Sequence, residues 1–154
     1  MSMKRPDPDP GCLAAVPSVC SGHEVTLTAP RRAVLELLLA AERPLGAYDL
    51  IEQMSARRGT TNPPTVYRAL GFLEQMGLIH RLDSQKAYVA CRGSAGAHRP
   101  VFLVCRDCGR ATEVEMSETV GLLEGLAKAR GFVAEQITQQ IEGRCEDCAG
   151  PSDS

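Results

Sequence analysis

Four of the seven cysteines in this chain form two C-x2-C pairs, within CRDCGR (residues 105 to 110) and CEDC (residues 145 to 148). Each pair places two thiols on one tight turn, and two such turns brought together complete a tetrahedral shell of four sulfurs that suits zinc. The predicted shell consists of Cys105, Cys108, Cys145 and Cys148. Because four thiolates leave no open coordination position, we expect this site to be structural rather than catalytic.

The same cysteines could instead form disulfides or transfer electrons. The sequence has no apolar run of about 18 residues and no apolar stretch behind its N-terminal basic pair, so neither a membrane span nor a signal peptide is predicted. We therefore expect a cytoplasmic protein without a membrane partner, in which thiols stay reduced. A redox motif typically has a single C-x2-C at the start of a helix, which neither pair matches. These considerations favour zinc.

A second group of potential metal ligands consists of His80, Cys91, His98 and Glu113. Their nitrogen, sulfur and oxygen atoms could together bind one metal ion. Each also has an ordinary structural interpretation, with His80 as a hairpin contact and Cys91 as a small buried hydrophobe. His98 would then be an exposed loop residue and Glu113 a charge on a strand. The residue types alone leave both interpretations open.

The elements that position these residues follow from the apolar periodicity. Three helices are predicted in LTAPRRAVLELLLAA, AYDLIEQMSARRG and NPPTVYRALGFLEQMG, because apolar residues recur at helical spacing and Gly or Pro bounds the segments. LIHRLDSQKAYVAC is then predicted to form a hairpin of two short strands. Three helices and a hairpin make a winged helix, whose third helix enters the major groove of double-stranded DNA.

The third predicted helix carries residues that suit this role. Its apolar residues face inward, which leaves Thr65, Tyr67 and Arg68 on the outer face or its margins. A bidentate contact from arginine to guanine is the commonest specific contact in protein–DNA complexes. The alternative is that these residues form an ordinary solvated helix surface.

The net charge of -2 and the pI near 5.9 argue, taken alone, against a nucleic-acid-binding protein. The distribution of charge along the chain argues less strongly against nucleic-acid binding than the net charge does. Arginines such as Arg31, Arg32 and Arg68 lie before residue 82, whereas many acidic residues lie between Asp107 and Asp153. The two halves of the chain therefore differ in charge, with the second half more acidic than the first.

A change of composition divides the chain. RGSAGAHRP, residues 92 to 100, has the Gly, Ser and Ala content of a linker. The fold class is therefore predicted to be α+β. We expect a winged-helix DNA-binding domain with an N-terminal extension over residues 1–91, a hinge over 92–99, and a dimerisation domain with the structural zinc site over 100–154.

The second predicted domain contains strands in VFLVC and ATEVEM, a helix in SETVGLLEGLAKARG and a further strand in FVAEQITQQIEG. A unit of about 50 residues cannot easily bury the edges and faces of its own sheet, so we expect it to pair with a second copy as a homodimer. No three-ligand zinc site with an open position and a nearby general base is apparent. We therefore predict no enzymatic activity and no small organic substrate.

Several segments together are specific to a known family: LTAPRRAVLELLLA, PLGAYDLIEQM, PPTVYRALGFLEQMGLIHRL, KAYVAC and the doubled C-x2-C. From about Leu27 to Cys148 the sequence resembles the ferric uptake regulator family, and specifically its zinc-sensing branch, the zinc uptake regulators. The resemblance implies a dimeric winged-helix repressor that binds operator DNA when zinc is replete and releases it when zinc is scarce.

The resemblance also implies two zinc ions per chain, one structural and one regulatory. The structural site falls on Cys105, Cys108, Cys145 and Cys148, and the regulatory site falls on His80, Cys91, His98 and Glu113. Tyr48, Tyr67 and Arg68 match positions that the family uses on DNA.

The sequence departs from the iron- and peroxide-responsive branches of the family. Those branches carry a histidine-rich run of the HHDH type before the first C-x2-C, where this sequence has only AHRPV. This difference argues against iron ligation by several histidines and carboxylates. An iron- or peroxide-responsive repressor is the alternative to a zinc-responsive one. Cys12, Cys20 and His23 receive no assigned role.

Overall fold

The computed structural model describes residues 27–91, 100–135 and 137–150. The chain divides into two compact units, Met1–Gly96 and Ala97–Ser154. Both units contain helices and strands, which confirms the α+β class. The hinge predicted over residues 92–99, with His98, lies outside the described residues, as do Cys12, Cys20 and His23.

The described part of the first unit contains three helices and three short strands. In chain order they are α1 (Ala29–Ala40), β1 (Leu45–Gly46), α2 (Ala47–Arg58), α3 (Pro63–Gln75), β2 (Ile79–Leu82) and β3 (Ala87–Ala90). The strands form an antiparallel sheet in the order β1-β3-β2. The three helices and the β2–β3 hairpin were predicted, whereas the two-residue strand β1 was not.

Local chemistry explains where these helices begin and end. Pro30 and Pro63 lie in the first turns of α1 and α3, where a missing N–H costs no intrahelical hydrogen bond. Gly59 ends α2 with φ of 84°, in the left-handed region that only glycine adopts readily. Its N–H donates to the carbonyl oxygen of Ser55, which completes the last turn of α2.

The core of the first unit lies between the three helices and the sheet. Its innermost side chains include Val34 of α1, Leu50 of α2, and Val66, Leu70 and Leu73 of α3, each at most 1% exposed. Full burial of such side chains contributes roughly 1.5–3 kcal/mol each. The outer face of α3 is fixed as a consequence, because its inner face is held in this core.

The described part of the second unit contains β4 (Val101–Cys105), β5 (Ala111–Val114), α4 (Ser117–Ala129), β6 (Gln139–Gly143) and the one-turn helix α5 (Glu146–Ala149). The sheet order is β5-β4-β6, with β4 antiparallel to β5 and parallel to β6. The strand predicted within FVAEQITQQIEG was too long, because it begins only at Gln139.

Helix α4 buries little of its apolar surface within the chain. None of residues 118–129 is buried, and Leu122 and Leu126 are 75% and 58% exposed. A helix with such an apolar stripe is normally stabilised by packing that stripe against another element. Among the described residues, no helix is both long enough and apolar enough to span a lipid bilayer.

Candidate metal centre and nucleic-acid interface

Strand pairing in the second unit brings the two C-x2-C turns together. Cys105 is the last residue of β4, and Cys108 lies in the turn before β5. Cys145 lies two residues after the end of β6, and Cys148 lies in α5. Because β4 and β6 are parallel neighbours, their carboxyl ends meet at one edge of the sheet, with Cys105 opposite Gly143. The segments that follow the two strands, which carry the other cysteines, therefore begin at the same edge of the sheet.

The four sulfur atoms lie within 4.8 Å of one another. The Sγ atoms of Cys108 and Cys145 are 3.8 Å apart, well beyond the bond length of about 2.05 Å in a disulfide. Zn–S bonds of about 2.3 Å in tetrahedral geometry place any two sulfurs about 3.8 Å apart. The spacing thus fits a tetrahedral zinc shell and excludes a Cys108–Cys145 disulfide in this arrangement.

The surroundings of the sulfurs favour negative charge. The backbone N–H of Cys145 donates to the Sγ of Cys105 at 3.3 Å. Hydrogen bonds from the backbone lower the pKa of the Cys105 thiol to about 6, and the bond at Cys108 has a larger effect than the bond at Cys145. The pKa of the Cys148 thiol is raised to about 12, mainly by hydrogen bonding to Cys145 and secondly by burial. Four thiolates this close repel one another, so a divalent cation is what allows all four to be charged.

Among the described residues, three ion pairs join the first cysteine turn to residues 142–147. They are Arg106 with Glu142 at 3.1 Å, Arg110 with Asp147 at 2.9 Å, and Arg144 with Asp107 at 3.2 Å. All are partly exposed to solvent, which screens the charges, so each pair adds little to stability. These pairs were not predicted, although residues of both charges flank both C-x2-C pairs in the sequence.

Two residues of the predicted second metal site come together in the first unit. His80 lies on β2 and Cys91 directly follows β3, and a ring nitrogen of His80 lies within 4.8 Å of the Cys91 sulfur. The hairpin register explains this proximity, because the N–H of Cys91 donates to the carbonyl oxygen of Leu78, two residues before His80. Cys91 is buried and His80 is half-buried.

The other two residues of that site, His98 and Glu113, do not belong to the described part of the first unit. Glu113 lies on β5 of the second unit, opposite Phe102 of β4, and is half-buried. His98 lies outside the described residues. The four-residue regulatory site therefore stays a prediction.

The residues predicted to contact DNA lie on the surface of the first unit. Tyr67 and Arg68 are exposed on α3, with 49% of Tyr67 accessible, while Thr65 in the first turn is half-buried. Tyr48, in the first turn of α2, is 82% exposed. Aromatic and guanidinium groups presented in this way can contact base edges and phosphates.

Comparison with known proteins gives the chain a family. Residues 23–142 match the family described as "Ferric uptake regulator family". The chain is 31% identical over 137 residues to the zinc uptake regulation protein of Escherichia coli (strain K12), which covers 88% of this chain and 80% of that protein.

Solved structures agree with this match. A zinc uptake regulator complexed with zinc and DNA is 30% identical with a TM-score of 0.85, over 90% of this chain and 93% of that one. The holo form of XcZur is 39% identical with a TM-score of 0.82, over 90% of this chain and 97% of that one. The resemblance inferred from the sequence motifs is thereby confirmed, and the chain belongs to the ferric uptake regulator family, whose members are transcription regulators rather than enzymes.

Proposed function

We propose that this protein is a cytoplasmic, zinc-responsive transcriptional regulator that binds operator DNA as a homodimer and mainly represses zinc-uptake genes. The observation that carries the proposal is the exposed face of α3, where Tyr67 and Arg68 project from a winged-helix unit. The likeness to a zinc uptake regulator complexed with zinc and DNA supports it, since that match covers both units of this chain.

Zinc is the metal that best suits the four-cysteine cluster. Cys105, Cys108, Cys145 and Cys148 supply only soft thiolate ligands, and their sulfurs lie at separations compatible with a tetrahedral shell. The bound ion would supply charge neutralisation and a crosslink, with no open position for chemistry. These residues would attach the end of the chain to the end of β4. Apparent binding energies of roughly 10–16 kcal/mol make such sites decisive for the folding of small domains.

A second zinc ion per chain is proposed at His80, Cys91, His98 and Glu113. The proximity of His80 to Cys91 supports it, because an imidazole and a thiolate are typical zinc ligands. Two of the residues belong to the first unit, one to the predicted hinge and one to the second unit. Binding of one ion by all four would link the two units.

This link gives a physical route from zinc concentration to DNA affinity. A dimeric helix-turn-helix protein must present its two recognition helices about one turn of DNA apart. Coordination by residues from both units would restrict the angle between them and raise the fraction of molecules able to bind the operator. A preference of about 3 kcal/mol for the competent form changes operator affinity more than a hundredfold, within the usual range of allosteric coupling.

Homodimer formation is proposed for the second unit. Helix α4 exposes Leu122 and Leu126, and the loop after it exposes Phe132 and Val133, at 69% and 82%. Apolar side chains grouped in this way mark an interaction surface. A second copy of the unit, with the same exposed residues, would cover them around a two-fold axis.

DNA contacts are proposed for Tyr48, Thr65, Tyr67 and Arg68. Arg68 is suited to bidentate contact with guanine in the major groove, whereas the hydroxyl groups of the other three can contact phosphates or bases. Their common location in the first unit and their accessibility support this assignment.

The test is a titration of purified dimer that retains zinc at the four cysteines. Binding to fluorescent palindromic promoter fragments is followed by anisotropy while buffered free zinc is raised. We expect affinity to rise more than a hundredfold with zinc and to be lost at the same zinc level in Arg68→Gln. Equal binding with and without added zinc would overturn zinc control. Restoration by Fe²⁺ but not by Zn²⁺ would identify the iron-responsive alternative instead.

A further inference from the structure

Arg31 and Phe72 make a contact that the proposed function does not use. Arg31 lies in the first turn of α1 and Phe72 on α3, and the guanidinium carbon of Arg31 is 3.5 Å from the centroid of the Phe72 ring. This is a cation–π contact, in which the positive guanidinium is attracted to the negative face of the ring. Both side chains are half-buried, so the stack lies at the edge of the core rather than inside it.

The position of Phe72 relates this stack to the exposed face of α3. Phe72 follows Arg68 by four residues, and residues four apart on a helix are neighbours on its surface. Arg31 therefore approaches α3 one turn away from the arginine proposed to contact bases. Two cations from different helices border the same stretch of α3.

The stacked geometry leaves the hydrogen-bonding capacity of Arg31 available. A guanidinium that packs on a ring uses its flat face, whereas its N–H donors lie in its plane and point away from the ring. Such a planar fork matches the oxygens of a phosphate. A side chain that is already held against a ring also loses less conformational entropy on binding than a free arginine does.

We propose that Arg31 is a phosphate contact of the DNA interface, held in position beside α3 by the ring of Phe72. The proposal rests on the proposed DNA-binding function and adds to it a backbone contact from a helix outside α3. Base contacts at Arg68 would select the sequence, and phosphate contacts at Arg31 would set the position of α3 on the duplex. Phe72 would act as a positioning residue that does not itself touch DNA.

Salt dependence of binding tests the contact at Arg31. Zinc-loaded wild-type and Arg31→Gln proteins are titrated onto the same palindromic promoter fragment at several NaCl concentrations. Each lost phosphate contact lowers the slope of log K against log salt by about 0.9, so a dimer losing two should show a slope smaller in magnitude by about two. Arg130→Gln, at an exposed position after α4, makes the same charge change elsewhere and should keep the wild-type slope. A slope for Arg31→Gln equal to that of Arg130→Gln overturns the proposal.

Two substitutions test the role of Phe72. Phe72→Leu keeps an apolar side chain against the core but removes the ring, and we expect it to weaken DNA binding several-fold while the zinc content stays at the wild-type value. Phe72→Tyr keeps the ring face and should bind as the wild type does. Wild-type affinity in Phe72→Leu would remove the positioning role.

Failure of the zinc-loaded wild-type protein to bind any palindromic promoter fragment would overturn the proposed function itself. Normal binding by the wild-type protein together with an unchanged salt slope in Arg31→Gln would overturn only this inference.

Discussion

Cys105 and Gly143 are register partners in the parallel pairing of β4 with β6, and each is the last residue of its strand. The chain therefore turns away from both strands at the same sheet edge. The backbone after β4 carries Cys108 and the backbone after β6 carries Cys145, and their sulfurs approach to 3.8 Å although 36 residues separate them. The four-cysteine cluster is thus a product of strand pairing, and the ion pair between Arg110 and Asp147 joins the same two turns.

Removal of one ligand from this cluster should dismantle the second unit. In Cys105→Ser we expect loss of the tightly held zinc and loss of the dimer, because a hydroxyl cannot replace a thiolate in the shell. Zinc content by atomic absorption and mass by size-exclusion chromatography with light scattering measure both effects. A zinc-containing dimer of wild-type size would contradict the structural role. Arg106→Gln, which removes only an exposed ion pair, serves as the control and should remain dimeric.

Substitution at the hairpin should separate regulation from folding. Cys91→Ser or His80→Ala should keep the dimer and the zinc held by the four cysteines. Operator affinity at saturating zinc should fall more than about a hundredfold, because the proposed coupling between the two units would be lost. Anisotropy titrations with buffered zinc measure the response. A wild-type zinc response in either variant would refute the assignment of that residue to the regulatory site.

The exposed apolar face of α4 should control dimer stability. Burial of a leucine contributes roughly 1.5–3 kcal/mol, and a loss of about 1.4 kcal/mol of binding free energy raises a dissociation constant tenfold. Leu122→Gln should therefore raise the dimer dissociation constant tenfold or more. Sedimentation equilibrium gives the constant directly. Lys128→Gln places the same side chain on the same helix at an exposed polar position and should leave it unchanged. Equal dissociation constants for the two variants would exclude this face of α4 from the interface.

A glycine inside one helix and a glycine just after another should respond in opposite ways to substitution by alanine. A Cβ at Gly71 within α3 would meet nothing within 4 Å, and the same is true at Gly59. Gly71 lies in the helix interior, so Gly71→Ala should raise the free energy of unfolding by about 1 kcal/mol. Gly59 has φ of 84°, so Gly59→Ala should lower it by about 1 kcal/mol. Urea denaturation of the two variants at one zinc concentration measures both changes, and equal signs would contradict the conformations found here.

The sequence by itself determined the features that depend on neighbours along the chain. The inward face of α3 followed from the helical spacing of its apolar residues, and Val66, Leu70 and Leu73 are all buried. The end of α2 followed from Gly59, because only glycine adopts its backbone conformation readily. The chemistry of the four cysteines likewise followed from two local turns and from the softness of thiolate ligands.

Only the tertiary structure decided the relationships between residues that are distant in sequence. The parallel register of β4 with β6 brings the two cysteine turns to one edge, and no local pattern encodes that register because strand pairing depends on long-range hydrogen bonds. The stack of Arg31 on Phe72 depends in the same way on how α1 packs against α3. Residue type and spacing are local quantities that a sequence displays directly, whereas the distance between two such sites is set by packing of the whole unit.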